Sequence, residues 1–304
     1  MASHPAWSAL HLALGKVAVT AARGLLPDGT PFSVPDHDSP PAPLDIDAGV
    51  RDTRVMLALP LRRTGMADVE RGEQTDTAAR YRAVAREVRD NNVDTANNSA
   101  FVEIGEPRLR LLLDTKDFSE HTCIGIARVA ERRPDQKVVL DEHYLPPCLD
   151  CRGVPALSGF VTELLGLLHQ RGDALADRVV GGGTARAAAL DLAQFMRLQA
   201  VNRFEPLFAH LAVTQSLHPE TFYRIALQMA GEMATFTDKV KRRPPAFPAY
   251  DHDDLQNTFA PLMRELRRSL SLEEVDAAIQ IPLEERQYGI RVGIITDREK
   301  PLLT

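Results

Sequence analysis

The sequence contains few cysteines and no long uninterrupted apolar run. Cysteine occurs three times in 304 residues, at positions 123, 148 and 151, too few and too unevenly spaced for a disulfide framework. The longest apolar stretch, residues 157–168, is interrupted by two hydroxyl side chains and a glutamate and is far shorter than the roughly 18 residues of a membrane span. The amino terminus shows no secretory signal pattern. We therefore expect a cytoplasmic protein without membrane insertion.

An excess of positive charge is also missing. Lysine and arginine total 36 against 42 aspartates and glutamates, so the formal net charge is -6. Because neutralising a phosphate backbone requires a basic surface, a nucleic-acid partner is disfavoured. The composition, 44% hydrophobic and 26% charged, is that of an ordinary globular protein. The length favours two or three domains.

Proline is nearly absent from one part of the chain. Thirteen of the 21 prolines lie in residues 1–155, whereas residues 156–243 contain only Pro206 and Pro219. Proline removes a backbone donor and clashes inside a helix, so the first half is predicted to be strands and turns and the second half helices. Alternating apolar residues predict strands at 54–61, 108–113 and 123–129, while the proline-rich residues 31–43 predict an irregular crossing.

The second half carries four amphipathic patterns. The first helix has its stripe in residues 157–168, and the second runs to Leu211, with a kink near Asn202 caused by Pro206. The third begins at Pro219 and ends in the cations of residues 239–243, and the fourth is capped by the acidic residues 251–254. Beyond residue 271, strands are expected at 277–281 and 289–295. These patterns predict an α+β multidomain chain with a β-sandwich (1–152), a four-helix bundle (153–270) and the start of a β-containing third domain (271–304).

No catalytic constellation is visible, but two motifs have a chemical alternative. Cys148 and Cys151 form a C-x-x-C pair, with His143 and Cys123 as further soft ligands for zinc. The glycines that begin at Gly181 resemble a phosphate cradle but lack the lysine and the preceding strand of a P-loop. Packed linker cysteines and a flexible interhelical loop are the favoured interpretations. We therefore expect no catalytic residue, metal or cofactor.

Gln199 and Asn202 interrupt the apolar face of the second helix. Two interpretations remain open: a solvated edge, or a polar layer that sets register and strand number in an oligomeric bundle. Leu198 and Val201 are candidates for contacts between chains. The basic residues 239–243 favour a solvated helix end, with an acidic partner as the alternative. The full set predicted to pack within the bundle or between chains is Leu198, Val201, Asn202, Phe208, Phe222, Met229 and Phe236.

Six stretches, taken together and in order, resemble one family. They are ARGLLPDGTPF (22–32), LDEHYLPPCLDCR (140–152), LLGLLHQRG (164–172), NRFEPLF (202–208), HPETFY (218–223) and FPAYD (247–251). The family that they resemble is the type VI secretion system baseplate subunit TssK, and the similarity spans nearly the whole chain.

This resemblance implies a structural role. Members of that family are homotrimers with a β-sandwich shoulder like that of phage receptor-binding proteins, a helical neck and a carboxy-terminal head. The resemblance implies that the shoulder docks on the wedge proteins TssF and TssG, and that the head contacts the membrane complex of TssL, TssM and TssJ. Compared with the family, the chain is expected to be shortened at both ends, with most of the head missing.

Two other functions compete with the baseplate adaptor. One is a metal- or nucleotide-dependent enzyme that uses Cys148, Cys151 and His143 or the loop at Gly181. The other is a free-standing oligomerisation module that has no baseplate partner. Elemental analysis and nucleotide-induced thermal shift would test the enzyme, and the presence of baseplate partners would test the module.

Overall fold

The structure is a computed structural model that describes most of the chain. The described residues are 3–65, 67–72, 78–89, 99–115, 117–179, 185–237, 241–271, 283–286 and 290–293. By its internal contacts the chain divides into two compact units, residues 1–271 and residues 272–304.

The first half of the chain is built from several small, mostly antiparallel sheets. A short helix, α1 (Ala9–Ala13), follows the first strand. The strands are β1 (Ser3–Trp7), β2 (Lys16–Val17), β3 (Val19–Leu25), β4 (Pro31–Val34), β5 (Leu44–Asp45), β6 (Arg51–Pro60), β7 (Val69–Glu70), β8 (Tyr81–Arg89), β9 (Ser99–Pro107), β10 (Arg110–Leu113), β11 (His121–Arg132) and β12 (Val138–Leu140).

The largest sheet has the strand order β10, β6, β11, β12 and confirms the three predicted strands. Alternate residues of β6, Val55, Leu57 and Leu59, are fully buried in a hydrophobic cluster that they share with β3 and β4 of the sheet β1, β3, β4. Met56 and Ala58, on the opposite face, are buried as well. Both faces of this central strand are therefore covered.

The prediction of an irregular crossing over residues 31–43 was wrong at its beginning. Pro31–Val34 forms β4, which pairs with β3 at the edge of its sheet. The prolines stand at the first position of β4 and directly after it, where a missing N–H costs no ladder hydrogen bond. Residues 35–43 are irregular, as predicted.

A long hairpin of β8 and β9 was not predicted. The two strands pair in register from Tyr81 opposite Pro107 to Arg89 opposite Ser99, and β7 runs parallel to the first two residues of β8. The far half of the hairpin, which is the half distant from Tyr81 and Pro107, is exposed on both faces. It carries Phe101, whose exposed fraction is 77%.

The four predicted helices are present. They are α2 (Pro155–Val179), α3 (Ala185–Val213), α4 (Pro219–Thr237) and α5 (Leu255–Ser271). Helix α3 continues through Pro206, and the bend expected there stays a prediction. Helix α4 begins at Pro219 as predicted, but it ends at Thr237, so Lys241 and the two arginines after it lie outside the helix rather than in its last turn.

Helices α4 and α5 point in the same direction. Phe222 stacks on Phe259 near the amino-terminal ends, with ring centroids 5.4 Å apart, and the Thr237 and Ser269 hydroxyls lie 3.3 Å apart near the carboxy-terminal ends. Helices α2 and α3 run antiparallel, because His169 contacts Glu205 while Arg152, just before α2, donates to the carbonyl of Gln215 beyond the end of α3. The four helices share a second hydrophobic cluster.

The segment between β12 and α2 joins the two clusters. Tyr144 lies against the outer face of the large sheet, directly over Gly125 of β11, where a Cβ atom would meet its hydroxyl. Leu145, Cys148 and Cys151 then enter the helical cluster. The predicted boundary at residue 152 stays a prediction, although the buried side chains divide into two clusters near it.

The second unit contains one described hairpin. Strands β13 (Leu283–Arg286) and β14 (Ile290–Gly293) pair antiparallel. Strand β14 lies within the predicted strand at 289–295, and β13 was not predicted. The strand expected at 277–281 lies outside the described residues.

Candidate interaction surface

Helix α3 carries apolar side chains on two opposite faces. One face, with Ala200, Val201, Phe204, Phe208 and Leu211, is buried in the helical cluster. A second set of apolar side chains lies near residue 192, where the described side chains of α3 begin. Because successive helical residues are about 100° apart, this set is on the opposite face of the helix. In that set Leu192, Phe195 and Met196 have exposed fractions of 60%, 55% and 47%.

We call Leu192, Phe195, Met196, Gln199 and Asn202 the outer stripe of α3. Its three apolar members lie at the i, i+3 and i+4 spacing that places side chains next to each other on one helix face. Gln199 and Asn202 continue the stripe and are exposed. The two open interpretations of these amides, a solvated edge and a polar layer between chains, both stay compatible with this position.

The structure places the predicted interface residues mainly inside one chain. Leu198 and Phe236 are partly buried against the same cluster, and Asn202 is exposed. The buried members of this set pack within the bundle of their own chain. An interface between chains through any of these residues stays a prediction. The fully or almost fully buried members are Val201, Phe208, Phe222 and Met229.

Cys148 and Cys151 are packed in the apolar interior. Both are buried, and burial raises the pKa of the Cys148 thiol to about 12 and that of Cys151 still further. Between them Asp150 accepts hydrogen bonds from the backbone N–H groups of Arg152 and Leu217, at 3.0 and 3.3 Å. Thiols held in this protonated state are poor nucleophiles. The favoured interpretation of packed linker cysteines agrees with this placement.

The other proposed ligands lie apart from this pair. Cys123 is a half-buried residue of β11, where burial raises its pKa to about 11, and His143 is exposed in the following segment. Within the described ranges, no group of three or more His, Cys, Asp and Glu side chains is arranged to hold a metal ion. The glycines from Gly181 to Gly183, with Thr184, lie outside the described residues.

Two further features bear on partner contacts. Of the basic residues 239–243, positions 241–243 are described and exposed, so an acidic partner and a solvated segment both remain open there. In the part of the chain that the structure describes, no helix combines the length and apolarity that a bilayer crossing requires.

Hydrogen bonds of charged side chains connect the base of the β8 and β9 hairpin to neighbouring segments of the chain. The carboxylate of Glu106 is 4% exposed and accepts hydrogen bonds from the backbone and hydroxyl of Ser39, both at 2.9 Å, and from Arg82 at 2.8 Å. Burial alone would raise the pKa of Glu106, but these donors hold it below its usual range. Buried Arg80 similarly donates to the carbonyl of Pro60, at 2.7 Å, and to Asp28.

Sequence reasoning missed both the outer stripe and the hairpin. The sequence analysis assigned a single apolar face to the second helix, although steps of three residues, from Phe195 to Leu198 and Val201, move around the helix axis and reach its other side. The signal was available in the i, i+3, i+4 spacing of Leu192, Phe195 and Met196. For the hairpin no such signal exists, because its far half has no buried face.

Comparison with known proteins gives consistent matches. The family described as "Bacterial Type VI secretion, VC_A0110, EvfL, ImpJ, VasE" matches residues 3–301. The type VI secretion system baseplate component TssK1 of Pseudomonas aeruginosa is 46% identical over 288 residues, which cover 94% of this chain and 64% of that protein. A crystal structure of TssK is similar with a TM-score of 0.82 and 38% identity, over 97% of this chain and 66% of its own.

A cryo-electron microscopy structure of a type VI secretion TssK-TssF-TssG baseplate subcomplex contains another similar chain. It matches with a TM-score of 0.76 over 89% of this chain and 86% of its own. At 24% identity this likeness concerns the fold alone. The chain thus spans about two thirds of the length of the first two relatives.

Proposed function

Since the chain belongs to the bacterial type VI secretion family of VasE and ImpJ, we propose that it is a structural, non-enzymatic subunit of a type VI secretion baseplate. The observation that carries this proposal is the 46% identity to a TssK1 baseplate component over 94% of the chain. In this proposal residues 1–152 form a shoulder, residues 153–270 a neck and residues 271–304 the beginning of a head. The protein acts in the cytoplasm.

The proposed partners of the shoulder are TssF and TssG. Support comes from a baseplate subcomplex of TssK, TssF and TssG, which contains a structurally similar chain. The projecting β8 and β9 hairpin is a further argument, because a two-stranded hairpin exposed on both faces is only marginally stable alone and gains stability from a partner. We assign the link from this wedge to the membrane complex of TssL, TssM and TssJ to the head, of which this chain carries the beginning in residues 271–304.

The proposed self-association is a homotrimer that forms through helix α3. Its outer stripe supports this assignment, because a helix with two apolar faces can bury one within its own chain and the other against a second chain. The exposed amides of Gln199 and Asn202 lie on the same face, where paired polar groups restrict register and the number of chains.

The experiment that tests the function is co-purification of this chain with TssF and TssG encoded in the same genome. We expect one complex that contains this chain in multiples of three, measured by light scattering on the eluted material. TssF with TssG passed over the same affinity resin without this chain is the control. Elution of folded, soluble chain without either wedge protein would contradict the proposal.

A further inference from the structure

Two histidines meet where helices α4 and α5 begin. His218 directly precedes α4, and His252 lies three residues before the start of α5. Their imidazole rings are stacked, with centroids 5.5 Å apart and ring planes only 7° from parallel. Because α4 and α5 point in the same direction, both rings lie near the positive ends of helix dipoles, where a cation is unfavourable. This position favours two neutral rings.

His218 caps α4 with one of its ring nitrogens. The backbone N–H of Glu220 donates to His218 Nδ1 at 3.2 Å, and the carbonyl of His218 accepts from the N–H of Phe222. Nδ1 can accept a hydrogen bond only while it carries no proton. A proton on Nδ1 therefore removes the acceptor and leaves an N–H group in the first turn of α4 without its partner. The cap requires a neutral imidazole.

His252 is hydrogen-bonded to Tyr250. The Tyr250 hydroxyl and His252 Nδ1 are 2.8 Å apart. Burial raises the pKa of the Tyr250 phenol, so the phenol keeps its proton while histidine titrates. Burial and the neighbouring ring of His218 lower the pKa of His252. Asp251 and Asp253 act in the opposite direction but do not outweigh them.

Several other titratable groups surround the histidine pair. Asp150 and Arg152, in the segment between β12 and α2, contact the backbone of residues 215 and 217 just before His218. Histidine is the residue type among these groups whose ordinary pKa, about 6.5, lies near neutral pH, and burial raises the pKa of both thiols away from that range. The groups that act on the pKa of Tyr250 or His252 from outside the pair are Cys148, Cys151, Glu220, Asp251 and Asp253.

The start of α4 is also bonded to the segment that joins the two hydrophobic clusters. The carbonyl of Leu217, the residue before His218, accepts the N–H of Cys151 at 2.8 Å. The N–H of Leu217 donates to the carboxylate of Asp150 at 3.3 Å. The cap of α4 therefore lies one residue from the hydrogen bonds that hold this connecting segment on the bundle.

From this geometry we propose that His218 and His252 form a pH-sensitive joint, which holds the start of α4 against α5 and the connecting segment while both rings are neutral and releases the first turn of α4 when they are protonated. Protonation removes the cap and places two like charges 5.5 Å apart near two helix amino-terminal ends. This inference goes beyond the proposed function, because it concerns the chain itself and requires no baseplate partner.

The direction of the pH effect follows from His252. Its pKa is lower in the folded protein than the ordinary value of 6.5, so the unfolded chain takes up the proton first. The folded state therefore has its full stability above pH 6.5 and loses stability as the pH falls through 6.5 toward the lower folded value.

The test is hydrogen exchange of the full chain, measured by mass spectrometry at about pH 7.5 and about pH 5.5 and corrected for the intrinsic effect of pH on exchange. We expect the protection of residues 217–224 to fall by about fivefold at the lower pH, which corresponds to the loss of one helix cap.

Two variants remove the titrating groups. His218→Asn keeps the cap at both pH values, because asparagine accepts the same N–H without titrating, and the protection of residues 217–224 should then change by less than about twofold. His252→Gln removes the second charge and retains an acceptor for the Tyr250 hydroxyl, so the fall should be smaller than in the parent.

His37→Asn is the matched control. His37 is exposed in the first half of the chain, so this variant removes a histidine outside the pair and should show the same fall as the parent. Thermal unfolding at neutral pH checks that all three variants fold.

Three results would overturn the inference: equal protection of residues 217–224 in the parent at both pH values, an undiminished fall in a folded His218→Asn or His252→Gln variant, or loss of the fall in His37→Asn. The measurement uses neither TssF nor TssG, so its failure is distinguishable from a failure of co-purification.

Discussion

Glu106 is a buried carboxylate on which the base of the hairpin depends. Its donors come from separate parts of the chain, Ser39 before β5 and Arg82 on β8. Because its pKa is lowered in the folded protein, the carboxylate stabilises the fold fully above its ordinary pKa of 4.5 and loses this contribution as the pH falls through the lower folded value.

We expect Glu106→Gln to lower the free energy of unfolding at neutral pH by about 1.5–3 kcal/mol, the typical contribution of a hydrogen bond to a charged group. The difference from the parent should narrow as the pH falls below 4.5 and then through the lower folded pKa, since the carboxylate becomes protonated first in the unfolded chain and then in the folded protein. Urea denaturation at several pH values between neutral and about pH 3 measures both effects.

Glu103→Gln is the control for this measurement. Glu103 lies on the same strand, but its side chain is 52% exposed and it pairs with exposed Arg71. An exposed ion pair contributes about 0–1 kcal/mol, so this variant should follow the parent closely. Identical pH profiles for the two variants would contradict the role assigned to Glu106.

Gly125 and Tyr144 form a contact that leaves no room for a side chain. The Tyr144 hydroxyl lies over Gly125, and burial raises the pKa of the phenol to about 12. Among the described residues this hydroxyl has no hydrogen-bond partner. A methyl group at position 125 would push the ring out of the interface between the sheet and the following segment.

Gly125→Ala is expected to lower the free energy of unfolding by about 1–3 kcal/mol, the usual cost of overpacking. Tyr144→Phe removes the hydroxyl that the new methyl group meets, so the double variant should recover part of this loss. Denaturation of the two single variants and the double variant gives the coupling as a double-mutant cycle. Strict additivity would show that the two residues do not act on each other.

At the scale of single elements, helix α5 begins with a specific cap. The Asp254 carboxylate accepts hydrogen bonds from the backbone N–H of Asn257, at 3.2 Å, and from its side-chain amide, at 2.6 Å. We expect Asp254→Ala to cost about 1 kcal/mol of stability, because an N–H of the first turn loses its acceptor. Thermal denaturation monitored by circular dichroism measures this cost.

Asp253→Ala is the matched control for the cap. Asp253 is an exposed neighbour of like charge that precedes the capping residue, so its removal changes the charge near the helix start without removing the cap. A loss as large as that of Asp254→Ala would assign the effect to charge and not to capping.

The elements that sequence analysis predicted are those with one buried face. Strand β6 and helices α2, α4 and α5 carry apolar residues at the period of their element, since one side of each packs on a core. The β8 and β9 hairpin was missed because most of its residues are exposed, so that neither face carries a regular series of buried apolar side chains. Its position is determined by contacts distant in sequence, such as Glu106 with Ser39.

Helix α3 shows the limit of such patterns for the candidate site. The apolar content of this segment was enough to predict a helix. Because apolar residues lie on two of its faces, however, the helix has no single apolar side, and the periodicity does not separate the buried face from the outer stripe. The burial of Val201 and the exposure of Phe195 distinguish the two faces in the structure.

At the scale of the whole molecule, the outer stripe determines the assembly in our proposal. Phe195→Glu places a charge in its middle and should convert the trimer into smaller species, since a buried unpaired carboxylate is strongly unfavourable at an interface. Sedimentation velocity of the purified variant measures the mass. The helix content by circular dichroism should stay unchanged, because Phe195 lies outside the core of its own chain.

Ala193→Glu is the control on the same helix. Ala193 is exposed. It lies two residues before Phe195, about 200° around the helix axis, and therefore points to nearly the opposite side. It should keep the mass of the parent. Dissociation by both substitutions to the same extent, or by neither, would place the contact between chains elsewhere.

The parallel arrangement of α4 and α5 has a consequence for folding kinetics. The antiparallel helices α2 and α3 have adjoining ends that follow each other closely in sequence, whereas the parallel helices α4 and α5 can pair only after a longer stretch of chain has closed into a loop. Closing that loop has an entropic cost before any contact forms. We therefore expect α5 to dock after α2 and α3 have paired, so that the last step of bundle formation is the burial of Phe259 against Phe222.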